Sequence, residues 1–303
     1  MLPVILGTDW WTDCDDVMAL RLLCRFHNQN KLQIKGICLN GCMEHSVRSV
    51  GAFLHAHGLD RIPLALDRSA SDFGGNPPYQ ARLAAMPSPR YQSNADAEEP
   101  VSFYRRLLSE TKEKITLLEI GYPQVLAALL HSEADAISPL NGVELVRQKV
   151  AHLWIMAGKW DEQGGRENNF ARNRRASVGG AALCRLFPVP VTFLGYEVGY
   201  NVISGGKLPE NDPVRLALKD HGSFNGRASW DPMLIVLAAS GDPASEGYRT
   251  VSGFASADPE TGLNYFREDP AGPHRYVIKT EENSFYSSRI DSMLSDSYNI
   301  PVS

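Results

Sequence analysis

Val4-Ile5-Leu6-Gly7-Thr8-Asp9-Trp10-Trp11-Thr12-Asp13-Cys14-Asp15-Asp16-Val17-Met18-Ala19-Leu20 sets four carboxylates within eight residues. They stand between an apolar run with the look of a buried strand and a run with the apolar spacing of a helix. A strand ending in Thr-Asp, followed by a helix opening Asp-Asp, delivers acidic side chains to the carboxyl edge of a sheet. Open α/β folds bind ligands at that edge. Four negative charges so close raise one another's pKa unless something positive sits among them. A hard divalent cation with oxygen ligands answers that need. The plainer reading has Asp13 capping the helix and Asp15 and Asp16 favouring its positive end.

Outward from this stretch, short apolar runs alternate with helical patterns. Strands are expected over 3–8, 32–39, 62–66, 115–120, 150–156 and 189–194. Helices are expected over 16–27, 44–57, 97–108, 124–131, 173–186 and 232–239. Gly58 stands where a helix C-terminus wants it. Residues 69–95, rich in Gly, Pro, Ser and Asn, read as one long loop, of the kind that often serves as a lid or binding segment. Residues 248–253 and 274–279 read as a late hairpin, and 281–294 as a closing helix. Strand-helix alternation at this spacing implies an α/β fold: a single domain over 1–303 with a mainly parallel central sheet flanked by helices.

At 303 residues, 43% hydrophobic and 21% charged, the chain has the composition of an ordinary globular protein with a sizeable core. A net charge of -5 argues against nucleic acid as a partner, because no excess of Lys and Arg is left to neutralise phosphates. The basic run Arg172-Asn173-Arg174-Arg175 reads as a solvated helix face. Five cysteines with no metal-ligand spacing read as free thiols in a reducing cytoplasm. Met1-Leu2-Pro3 runs straight into the first strand, so no signal peptide is expected. No apolar run approaches the roughly 20 residues that span a bilayer, so no membrane partner is expected either.

Two further segments carry chemistry. In Glu167-Asn168-Asn169-Phe170, a carboxylate and an amide two residues apart would project to one side of an extended segment and suit neighbouring hydroxyls of a sugar; the alternative is an Asn-rich turn before a helix. In Ser229-Trp230-Asp231-Pro232, Asp231 is either a ligand or merely an N-cap with Pro232 at the first helical position. No G-x-S-x-G elbow, G-x-G-x-x-G or P-loop occurs at a useful place.

Together these segments resemble the inosine-uridine nucleoside hydrolases. The family's fingerprint is D-T-D-x-G-x-D-D, with a longer variant D-T-D-x-G-T-D-x-D-D-x-x-A-L; here it stands as G-T-D-W-W-T-D-C-D-D-V-M-A-L. Ile115–Ala127 resembles the family's strand ending G-P-L-T-N-L-A, Leu153–Gly158 its M-G-G turn, and Glu167–Phe170 its E-x-N-F. Ser229–Pro232 resembles the late Asp motif of the longer-fingerprint relatives. The resemblance covers most of the chain and keeps the motifs in order. It implies a nucleoside hydrolase-like sheet with one calcium ion, Ca2+, at the bottom of the pocket. Asp9, Asp16 and Asp231 would be the calcium carboxylates, joined by the backbone carbonyl of Gln124. Asp15 would bind a ribose hydroxyl, Glu167 and Asn169 the other hydroxyls, and Met156 would line the sugar pocket. Asp9 would also deprotonate the attacking water. The implied partner is a small-molecule ribonucleoside or riboside, cleaved through an oxocarbenium-like transition state. Family members commonly self-associate, which adds a homo-oligomer to the expectations.

The chain departs from the family pattern at four places. Trp11 occupies the place of the fingerprint Gly, so a tight turn would have to be made by a bulky residue. Gln124 and Val125 replace Thr and Asn, and Asn173-Arg174-Arg175 stands where relatives often show Asp-Pro-Glu. Trp230 precedes the late Asp where several purine-cleaving members carry a His as leaving-group acid. Indole is no such acid, but it can stack on a base. Trp10 and Trp11 join Trp230 as expected determinants of what the site accepts. Two rivals remain: a calcium-retaining nucleoside- or sugar-binding protein without turnover, and a haloacid-dehalogenase-type phosphohydrolase built on Asp13-Cys14-Asp15.

Overall fold

The opening apolar run forms β1 (Leu2–Thr8), buried from its second residue onward. In the computed structural model, which describes residues 1–11, 13–75 and 78–295, it is followed by α1 (Asp15–Asn28), β2 (Leu32–Leu39), α2 (Ser46–Ala56) and β3 (Leu64–Leu66). Next come α3 (Pro78–Ala84), α4 (Pro100–Glu110), β4 (Ile115–Glu119), α5 (Gln124–Leu130), α6 (Gly142–Lys149) and β5 (Val150–Met156). The middle of the chain gives α7 (Asn168–Ala171), α8 (Arg174–Leu186), β6 (Val191–Leu194), α9 (Tyr196–Gly199), β7 (Ile203–Ser204), α10 (Pro213–Asp220), β8 (Arg227–Ala228) and α11 (Trp230–Ser240). It closes with β9 (Tyr248–Ala257), β10 (Asn264–Glu268), β11 (His274–Lys279) and α12 (Asn283–Ser295).

Among the described residues one nine-stranded sheet runs in the order β10-β9-β11-β6-β5-β4-β1-β2-β3. From β3 to β11 on the β6 side every pairing is parallel; β9 and β10 add an antiparallel margin. β1 lies inside the sheet, third from the β3 edge, and pairs with β2 on one side and β4 on the other. The chain therefore winds outward in both directions from β1 and β4, and a crevice opens beyond their carboxyl ends. Successive β1 side chains alternate between two cores: Val4 and Leu6 pack with α1, α2 and α11, and Ile5 with α4, α5 and α8. Burial on both faces is why β1 reads as a continuous apolar run instead of an alternating one.

The expected α/β fold with a mainly parallel sheet is the one observed, with three local differences. Residues 69–95 are not loop throughout: α3 and a 3-10 turn at Asn94–Asp96 lie inside them. The strands at 248 and 274 do pair antiparallel, from His274 opposite Gly253 to Lys279 opposite Tyr248, but they are not a simple hairpin. β10 intervenes and pairs on the far side of β9, while β11 inserts beside β6. The third is helices absent from the sequence reading: the short α7 and α9, and α6 and α10, the last two each eight residues long. Those last two carry start signals, an Asn141/Glu144 capping box and an Asp212 cap with Pro213 behind it. No helix among the described residues is long and apolar enough to cross a membrane.

Candidate active site

The site starts where β1 runs out. Thr8 Oγ1 donates to Asp16 Oδ1, and the Trp10 amide donates to the same carboxylate oxygen at 3.3 Å, tying the strand end to the first turn of α1. Trp10 sits at φ 47°, in the left-handed region that costs a non-glycine residue energy. Its fully buried ring holds it there: Nε1 donates to Ser49 Oγ at 2.9 Å, Phe53 and Tyr79 present edges to it, and Gln80 Nε2 donates to its carbonyl. The tight turn expected of Trp11 is thus made by Trp10. Trp11 turns the other way, packing edge-on to Phe73 among Ala70, Tyr122 and Ala176, with Nε1 donating to the Gly74 carbonyl. Both rings serve the core, and neither is among the residues lining the pocket, contrary to the expectation that they shape what it accepts.

Asp13 does not cap α1. The N-cap is Cys14, without a side-chain cap bond. Asp13 instead takes a fork from Arg227, Nε to Oδ1 at 2.7 Å and Nη2 to Oδ2 at 2.5 Å. Burial alone would raise its pKa, but the guanidinium outweighs that and holds it below the usual carboxylate range. Asp15 and Asp16 occupy the first turn of α1, and Asp231 the first turn of the adjacent α11. Asp231 is no N-cap, since Ser229 holds that position and the helix begins at Trp230. Its backbone N–H donates to Asp15 Oδ2 at 3.2 Å. Carboxylate oxygens of Asp15, Asp16 and Asp231 lie within 4.8 Å of one another, all three side chains buried. Burial first, then mutual repulsion, pushes all three pKa values up, and Asp9 beside them rises to about 7 for the same reasons.

β4 and β5 supply the opposite wall. Gly121, just past β4, passes so close to β1 that a Cβ there would lie 2.3 Å from the Asp9 amide nitrogen. Ile120 before it lines the pocket. Gln124 does not: it opens α5 and faces a separate surface cavity, with its side-chain amide donating to the Asn40 carbonyl at 2.7 Å. Glu167 and Asn169 are not on an extended segment. Glu167 caps the short α7, accepting from the Asn169 and Gly158 amides at 2.6 and 2.9 Å, and burial raises its pKa to about 7 in spite of them. Asn169, within α7, donates from Nδ2 to the Met156 carbonyl at 2.9 Å and lies 3.4 Å from that of Ile120.

The enclosed space is about 350 Å³, within the range of small-molecule sites. Asp9, Asp15, Asp16 and Asp231 meet in it with Met156, Glu167, Asn169 and Trp230; of the residues expected at the site, only Gln124 is elsewhere. Trp230 stacks on Tyr196 at 5.4 Å between ring centres, and its Nε1 donates to the Tyr196 carbonyl at 2.7 Å. Arg227 lies over the Trp230 ring at 5.4 Å. Tyr196, Arg227, His221 and Ile120 escaped the sequence reading. Position alone was available to find two of them: Ile120 ends the predicted strand 115–120, and Tyr196 follows 189–194, both at the carboxyl edge.

The mainly parallel sheet, with its acidic turn after β1 and a late Asp brought back by α11, is a nucleoside hydrolase-like α/β fold. Solved structures agree in fold. The inosine-uridine preferring nucleoside hydrolase of Bacillus anthracis superposes with a TM-score of 0.69 at 16% identity, over 97% of this chain and 100% of that one. A plant nucleoside hydrolase gives 0.71 at 16% identity over 99% of each chain. The type III effector protein XopQ, complexed with adenosine diphosphate ribose, gives 0.69 at 15% identity over 98% of this chain and 94% of its own. No protein-family model matches the chain, and no curated protein matches it in sequence. At these identities the likeness is one of fold.

Proposed function

We propose that this chain, as one unit over 1–303, is a cytoplasmic calcium-dependent hydrolase of the N-glycosidic bond of a ribonucleoside or related riboside. The observation that carries the reading is the convergence of Asp15, Asp16 and Asp231 oxygens within 4.8 Å in a buried pocket at the switch point. The donors there are carboxylate oxygens, raised in pKa by burial and then by one another. Of the pocket-lining guanidiniums, Arg227 is engaged by Asp13 and Arg172 donates to the Phe73 carbonyl. Such a set fits a hard divalent cation. Of the residues the resemblance assigns to it, Asp16 and Asp231 belong to this cluster, and Asp9, which lines the same pocket, would complete the set while Asp15 faces the sugar. The carbonyl ligand is better sought at Ile120, which lines the pocket, than at Gln124. When bound, calcium would acidify and orient water beside the sugar diol.

The chain's own groups supply the rest. Asp15 would accept a ribose hydroxyl. Asp9, a carboxylate lining the pocket beside Asp16, would be placed to take a proton from the attacking water. Glu167 and Asn169 would hold the remaining hydroxyls against Met156. The carboxylates would stabilise positive charge developing on the sugar, and Trp230 with Tyr196 would receive the aglycone by stacking. Calorimetric titration with calcium tests the metal set: the wild type is expected to bind and Asp231→Asn to lose binding by 10-fold or more, on the order of 1.4 kcal/mol or greater. Equal binding by both rejects it.

One observation favours the binding-protein rival: the Trp230 N–H is already given to the Tyr196 carbonyl, so that position offers no proton to a leaving group. The complex of the effector neighbour with adenosine diphosphate ribose fits it also. The phosphohydrolase rival gains nothing, because both Asp13 oxygens are held by Arg227.

A further inference from the structure

Hydrolysis of an N-riboside leaves an electron pair on the aglycone nitrogen, and something must accept or offset it. Trp230 does not protonate it, since its only N–H goes to Tyr196. The group standing beside the aromatic shelf is Arg227, over the Trp230 ring at 5.4 Å and lining the same pocket as Asp15 and Asp231. Asp13 engages one N–H of Nε and one of Nη2, which fixes the plane of the guanidinium without using all five of its donors. The side chain is 31% exposed, so it is anchored at its base and open to the pocket. Arginine keeps its charge throughout the working pH range.

We propose that Arg227 is a leaving-group residue: it stabilises the departing aglycone as an anion, and the site therefore selects ribosides whose aglycone leaves as an anion without prior protonation. The proposal rests on the hydrolase reading above. In the step, a water oxygen bonds to C1′ while the C1′–aglycone bond breaks and its electron pair goes to the aglycone. The water proton passes to Asp9. The anion, held by Arg227 and stacked on Trp230, takes a proton from solvent after release, and Asp9 returns its own. No oxidant or co-reactant is needed. Asp13 is then a positioning residue, aiming the guanidinium.

His221 is the competing donor. It lines the pocket, its Nδ1 is 2.9 Å from Ser223 Oγ, and one of its nitrogens falls within 4.8 Å of Asp13 and Cys14 ligand atoms. A leaving-group series separates the two. Uridine and inosine expel basic anions that need help, whereas p-nitrophenyl β-ribofuranoside expels a phenolate that needs little.

With calcium present, Arg227→Gln is expected to lose about 100-fold in kcat/KM on uridine or inosine and less than about 3-fold on the p-nitrophenyl riboside. Arg227→Lys, which keeps the charge, should recover part of the nucleoside loss. Any effect of His221→Gln should fall on both substrate types alike. The calcium-induced rise in melting temperature, measured on Arg227→Gln, reports whether the site is intact. Equal losses on both substrate types, with or without a lost calcium shift, make Arg227 structural and overturn the proposal. A nucleoside-selective loss in His221→Gln with none in Arg227→Gln transfers the role to the imidazole. No turnover of either substrate by the wild type brings down the hydrolase reading itself, and this inference with it.

Discussion

Glu119, the last residue of β4, is fully buried beneath the site, with Oε1 accepting from Asn40 Nδ2 at 2.7 Å and from the Gly121 amide at 3.0 Å. Its Oε2 has no partner, and burial raises its pKa from 4.5 to about 8. Between those values the folded protein keeps a proton that the unfolded chain has released. Bound protons then favour the folded state less as pH rises, so this group's contribution is intact below pH 4.5 and is lost on the way to 8. One proton of difference is worth about 1.4 kcal/mol per pH unit, so from pH 5 to 7.5 the wild type should lose about 3 kcal/mol on this account. Glu119→Gln removes the titration. It also leaves a buried amide group to satisfy, a cost of about 1–3 kcal/mol that does not vary with pH. The variant should therefore be the less stable protein at pH 5 and gain on the wild type by about 3 kcal/mol at pH 7.5. Urea unfolding of both proteins with a chelator present, at pH 5, 6, 7 and 7.5, measures the difference, and other carboxylates cancel. Parallel stability curves would refute the reasoning.

Gly121→Ala should be among the most damaging small substitutions, because its Cβ would meet backbone, the Asp9 nitrogen at 2.3 Å and the Thr8 carbonyl carbon at 2.8 Å. A loss of at least about 3 kcal/mol is expected by denaturant unfolding; a loss under 1 would show that β1 and β4 part easily. Trp230→Ala should cost about 3–5 kcal/mol of stability and, where the fold persists, raise KM by up to about tenfold as the stacking surface goes. An unchanged KM would place the aglycone elsewhere. In calorimetric melts the metal-free protein should lose stability from pH 5 to about 7, because the folded Asp9 and Glu167 keep protons there that the unfolded chain has released. Calcium at about 100 times its Kd should restore about 2.7 kcal/mol. Melting that ignores calcium at every pH argues against a resident cation.

The central strands were legible because burial on both faces leaves unbroken apolar runs; β2 and β5 begin and end where the pattern places them. The acidic turn was legible because four carboxylates crowd between a buried strand and an apolar helix, more than capping uses. Asp231 alone could not be told from an N-cap and stood out only through the order of the motifs. Directions were less so. Trp10 and Trp11 sit beside the metal-type carboxylates in sequence, yet the left-handed backbone at Trp10 sends both rings into packing. A carbonyl ligand leaves no side-chain signature, so the sequence pattern alone does not single out which residue offers one; Ile120 lines the crevice and Gln124 does not. Glu167-Asn168-Asn169 reads either as an extended segment or as an Asn-rich turn before a helix; the structure is nearer the second, with one turn of helix capped by the Glu167 carboxylate. Arg227 was invisible as a partner of Asp13, 214 residues away.

The most direct measurement is free ribose released from a panel of nucleosides by the purified protein, with calcium and with a chelator, alongside ligand binding. The account predicts ribose release that depends on calcium and disappears in Asp231→Asn. Tight nucleoside binding with no ribose released in any metal condition would contradict it and leave a binding protein on a hydrolase fold.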